Sequence, residues 1–250
     1  MIGPLLLLVG VVLVVVAVLL LRSVGQAYRI GRTLSAAPEL PLAEVVQLAR
    51  AAGAASGAAS GAGAPRYVRT HGRISSEEEF PDENDRPLVY RRQRLQRRDG
   101  RSWTTIDDDR VAVPFGLEDR ATYLAVDIDS LGDGLVVVPR ESVGVAADVP
   151  PTLMPDGVAL SPSVPVRIRI DQLSAIEQAT VAGVPILGPT GEPTLAAGAG
   201  RPLIVTSLAP DEAMRVLGSE RRGTVQATAA LLVIGLGCLA TGVVATLFRL

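Results

Sequence analysis

Both ends of this chain are long apolar runs without a single charged side chain, residues 2–21 and 224–248. No other feature constrains its folding so strongly. A bilayer core of about 30 Å takes roughly 20 apolar residues in a helix, so each run has the length of a membrane span. The first run has no basic residue before it and no A-x-A site closing it. It therefore reads as an uncleaved anchor rather than a signal peptide. Arg22, Arg29 and Arg32 follow the first run, and Arg215, Arg221 and Arg222 precede the second. Beyond the second run the only basic residue is Arg249. The positive-inside rule then places the middle domain in the cytoplasm and both termini outside. The expectation is a multi-pass protein of the cell membrane, with two transmembrane α-helices flanking one mainly-β (α+β) soluble domain.

A net charge of −2 implies no bulk attraction to nucleic acid or anionic lipid. All 24 basic residues are arginine. Without lysine there is no P-loop lysine and no Schiff-base chemistry, and the Ala- and Gly-rich composition points to a GC-rich, prokaryotic genome. Cys238, the only cysteine, lies inside the second apolar run. A disulfide within the chain and a thiolate metal cluster are both excluded.

Between the runs the periodicity changes twice. Residues 22–50 form a juxtamembrane segment containing a short amphipathic helix, with Leu42, Val45, Val46 and Ala49 at i, i+3, i+4 and i+7. Residues 51–64, "AAGAASGAASGAGA", have the composition of a flexible tether. Residues 65–218 follow as the β domain. In "RYVRTHGRI", Val68, Thr70, Gly72 and Ile74 share one face. "EEEFPDENDRP" reads as a polar loop, and Asp133-Gly134 in "SLGDGLVVV" as a hairpin turn. "VPVRIRID", residues 181–186 and residues 202–207 complete a set of strands with turn signals between them, suggesting an antiparallel sheet, sandwich or barrel. "APDEAMRVL" is a last short helix with acids in its first turn.

The chemical candidates are few. Six arginines, Arg91, Arg92, Arg94, Arg97, Arg98 and Arg101, crowd into residues 91–101. They could bind nucleic acid or anionic lipid. However, acids at residues 77–85 and 107–109 would sit beside them in a hairpin and cancel the field that phosphate binding needs. A mutually neutralised strand surface is the reading the charges favour. His71, the only histidine, has no serine elbow around it, and an exposed strand position suits it better than a triad. Asp107, Asp108, Asp109, Asp127 and Asp129 could ligate Mg²⁺ or Ca²⁺, but lack EF-hand spacing. No P-loop, dinucleotide fingerprint or zinc spacing occurs, and no cofactor is implied. In the second apolar run Gly235, Cys238, Gly242 and Ala245 form a small-residue stripe on which another helix can pack. Its partner would be the first run or a second copy of the chain.

The order of these motifs resembles the GIDE, or beside-a-membrane, family. The matching residues are "RYVRTHGRI", "RPLVYRRQRLQRR", "GRSWTTI", "VPFGLED", "GDGLVVVPRESV", "IEQATVAGVPILGPTGEPTL" and "RPLIVTSLAPDEAMRVL". The resemblance implies two spans around a largely β domain, with Tyr90 and Trp103 packing its core. It also implies membership of an E3 ubiquitin-ligase system. The zinc ligands of the family's RING finger are missing: one cysteine and one histidine cannot build a four-ligand site. The functional expectation is a non-enzymatic sensor, scaffold or adaptor for a protein partner or the membrane lipids. A RING-less component of a ligase-like system is its alternative, and nucleic-acid binding ranks below both.

Overall fold

The computed structural model describes residues 2–56, 66–100, 102–155, 157–219 and 222–247. Within the two long end helices, side chains are described over residues 7–18, 29–36 and 228–244. The first elements in chain order are α1 (Ile2–Ala36), α2 (Leu42–Ser56), β1 (Val68–Ser75), β2 (Phe80–Pro81), β3 (Pro87–Asp99) and β4 (Ser102–Ala112). Then come β5 (Gly116–Asp119), β6 (Thr122–Val126), β7 (Leu135–Val136), β8 (Arg140–Val145), β9 (Pro165–Ser174) and β10 (Gln178–Leu187). The chain closes with β11 (Pro193–Ala196), β12 (Ile204–Thr206), α3 (Pro210–Ser219) and α4 (Arg222–Leu247). Two compact units result, Ala36–Pro210, and Met1–Ser35 together with Asp211–Leu250.

In the helical unit, α1 and α4 meet along a seam of glycines. A Cβ added at Gly10 would lie 2.7 Å from Leu239 Cγ, one at Gly235 3.1 Å from Val14 Cγ2, and one at Gly242 2.9 Å from the backbone nitrogen of Leu7. Cys238 is half-buried between these glycines in sequence. Elsewhere the pair carries exposed aliphatic side chains such as Leu8, Val12 and Val233. Among the described residues no helix is long and apolar enough to cross a membrane. This overturns the expected two-span architecture, and the multi-pass placement in the cell membrane with a cytoplasmic middle domain falls with it.

The Ala36–Pro210 unit is a β-barrel joined to a half-barrel. β1, β5, β6, β11 and β10 hydrogen-bond in sequence, and antiparallel pairing of β1 with β10, from Val68↔Gly183 to Arg73↔Gln178, closes the ring. β12 and β7 extend the sheet from β10. Two of the pairings, β6 with β11 and β7 with β12, are parallel, where antiparallel pairing was expected throughout. Alternation places Val68, Thr70, Gly72 and Ile74 of β1 inward. Val68 and Ile74 join Phe115, Leu117, Leu124, Val181, Leu195 and Leu203 in the main core. The stripe of α2, Leu42, Val45, Val46 and Ala49, is buried as its spacing predicts, and the helix packs chiefly on β10. α2 continues to Ser56, six residues into the expected tether; residues 57–64 lie outside the described residues.

The half-barrel is centred on β3, with β9 on one edge, β4 along the other, and β8 beyond β9. Its first residues also pair with β2, so the expected polar loop contains a short strand. Val89 and Tyr90 insert into the main core, while Leu95 and Val166 build a second one with Ala146 and Val149. A proline-rich stretch of short 3₁₀ turns at residues 146–153 covers this second core. Alternation along β3 and β9 leaves the opposite face polar.

Candidate functional site

That polar face carries Arg92 and Arg94 of the arginine strand, together with Arg167 and Arg169 of β9. Arg92 makes two parallel hydrogen bonds to Asp108, Nε to Oδ1 and Nη2 to Oδ2, both 2.7 Å, and donates through Nη1 to Asp133 at 2.6 Å. Arg94 pairs with Asp171, and Arg169 reaches both Asp171 and Glu141 at 3.5 Å. Arg167 donates to Gln96 at 2.8 Å and contacts Glu141 at 3.5 Å. The register explains the lattice: β4 sets Asp107–Asp109 opposite residues 93–95, and β9 sets Asp171 opposite Arg92. The hydrogen bonds from Arg92 outweigh partial burial and draw the Asp108 carboxyl down to about 2. Reciprocally, the bonds to Asp108 raise Arg92 above its ordinary value. Such fork-to-carboxylate pairs are roughly twice as strong as neutral hydrogen bonds.

The remaining arginines divide. Arg91 is half-buried, Arg97 and Arg98 are exposed at the hairpin end, and Arg101 lies outside the described residues. Tyr90 is a core residue, as the family resemblance implied. Trp103 is not: it lies half-buried on the polar face, with the Arg167 guanidinium 4.9 Å above its ring. His71 is exposed, its Nδ1 3.1 Å from Glu39, which also pairs with Arg69. Among the described residues no three His, Cys, Asp or Glu side chains could hold a metal ion together.

Among the described residues, two hollows on the barrel surface combine polar and apolar lining. A polar one of about 430 Å³ involves His71, Arg73, Glu118, Asp119, Arg120 and Gln178. It opens over Gly72, where an added Cβ would crowd the Glu118 carbonyl at 3.1 Å. The larger, about 800 Å³, is a groove at the ends of β6 and β10. Val113, Pro114, Ile128, Ile186, Leu187 and Pro189 supply its apolar wall, and Asp127, Asp129 and Glu192 its acids. Parallel pairing of Thr194 with Ala125, and the Asp127 N–H donated to the Leu195 carbonyl at 2.9 Å, fix the two sides of the groove to each other. Sequence reasoning weighed Asp127 and Asp129 as Mg²⁺ or Ca²⁺ ligands without EF-hand spacing, and favoured solvated acids. It missed the groove because its wall comes from segments some 60 residues apart, Ile128 and Ile186, that only the barrel brings together.

No protein-family model, curated protein or solved structure matches this chain. The GIDE resemblance gains no support from these comparisons.

Proposed function

We propose that this chain is a non-catalytic adaptor whose barrel unit holds a protein partner in the groove at the ends of β6 and β10. The groove itself carries this reading. At about 800 Å³ it falls in the size range of specific binding sites, and it combines an apolar wall with a few polar groups in fixed positions. The polar face of the half-barrel supports the reading less, because its guanidinium groups already face carboxylates of the same chain. That pairing also weakens the case for nucleic acid, whose grip depends on unneutralised charge.

Site-specific photo-crosslinking tests the proposal. A photoreactive residue at Ile128 or Ile186 should trap a partner in living cells, and the same residue at exposed Val143 of β8 should not. Equal trapping at all three positions would sink the assignment. So would turnover of a substrate that His71→Ala abolished.

A further inference from the structure

The groove has a chemical asymmetry that narrows its occupant. On the half-barrel, Asp108, Asp171 and Glu141 each face an arginine. At the groove, none of the side-chain hydrogen bonds and ion pairs among the described residues involves the carboxyl of Asp127, Asp129 or Glu192. The backbones of Asp127 and Glu192 are nonetheless held. The Asp127 carbonyl accepts from the N–H of Ser130 at 3.2 Å and from its hydroxyl at 3.0 Å, and the Glu192 carbonyl accepts from Gly188 N–H at 2.8 Å. These acids are therefore placed by the fold and left without counter-charge. Beside them, Ile186 keeps a third of its surface exposed, and Ile128 is half-buried.

From this pairing we infer that the groove takes a short segment of another protein in which an arginine or lysine stands beside aliphatic residues. The inference rests on the proposed docking function and names the chemistry of its partner. A basic side chain suits both walls at once. Its methylene stem lies along isoleucine and proline, and its charged head reaches the carboxylates at the rim. An acidic segment would meet three like charges, and a purely aliphatic one would leave the carboxylates without a partner. Arginine suits the site better than lysine where one head can meet a carboxylate through two donors.

The test uses the full chain and three fluorescent peptides, alternating valine with arginine, with glutamate or with glutamine. The arginine peptide should bind most tightly, and added salt should weaken it. An Asp129→Asn/Glu192→Gln double variant should weaken it by about fivefold, the scale of two partly exposed ion pairs. Ile186→Ser should weaken all binding. If the glutamine peptide matches the arginine peptide and the double variant changes nothing, while Ile186→Ser still matters, the partner chemistry is overturned and the docking function survives. If Ile186→Ser leaves every peptide unaffected, both fall together.

Discussion

At the residue scale, two positions show what local sequence carries and what it omits. Asp133-Gly134 reads as a hairpin turn, but β7 beyond it pairs in parallel with β12. Gly134 is required for a different reason: an added Cβ would sit 1.8 Å from the Leu203 carbonyl oxygen. A turn-forming pair is visible in the sequence, whereas a backbone passing 69 positions later is not. Gly134→Ala should therefore destabilise by about 1–3 kcal/mol or more, since the backbone has little room to yield. Urea unfolding would measure it, and an unchanged midpoint would show that the close approach is not needed. Tyr67 makes the second case. Its hydroxyl donates toward the carbonyls of Pro202 at 2.7 Å and Ala182 at 3.1 Å, and burial pushes its ionisation well above the ordinary value. Tyr67→Phe strips that donor from buried carbonyls and should cost about 1–3 kcal/mol.

At the element scale, the β3–β4 hairpin was largely legible. A strand dense in arginine, followed by three consecutive aspartates, predicts cross-strand neutralisation, and the register delivers it. The bulge was not legible. Leu95 stands opposite Asp107 but Gln96 opposite Thr105, so Ile106 is the extra residue and packs against the second core. Core demand, not local propensity, sets that shift. The lattice also has an acid signature. The Asp108 carboxyl ionises at about 2 in the folded chain against 3.8 ordinarily, a depressed value. Its contribution is therefore complete above about pH 4 and is lost as the pH falls from about 4 towards 2. Asp82, whose carboxylate accepts from the Arg86 and Asn84 backbones, is lowered too and adds to the same trend. Unfolding midpoints measured from pH 6 to pH 2 should converge for the native chain and Asp108→Asn at the acid end. At pH 6 the variant should be weaker by about 1 kcal/mol, a value discounted for partial exposure. Parallel curves would mean that the Arg92–Asp108 fork contributes nothing.

At the scale of the whole molecule, hydropathy marked the two end segments as membrane spans. They are helices, but among the described residues no helix is long and apolar enough to cross a membrane. Hydropathy alone does not say what their apolar surfaces meet. Among the described residues, the α1–α4 glycine seam accounts for one face of each helix. Among the described residues, the main core and the second core of the β unit draw every member from Ala36–Pro210, from Leu40 and Leu42 of the α2 region to Val205 of β12. A domain that buries its own core folds alone. A fragment covering residues 36–210 should accordingly unfold in one cooperative transition, with near-native dispersion in its NMR spectrum. Within that fragment Leu124→Ala, which empties a fully buried position on β6, should cost about 2–5 kcal/mol. The same substitution in the full chain should cost an equal amount, because among the described residues every member of that core lies within Ala36–Pro210. A fragment that melts without cooperativity, or a Leu124→Ala penalty that differs by more than about 1 kcal/mol between the two contexts, would mean that the helical unit completes the β fold.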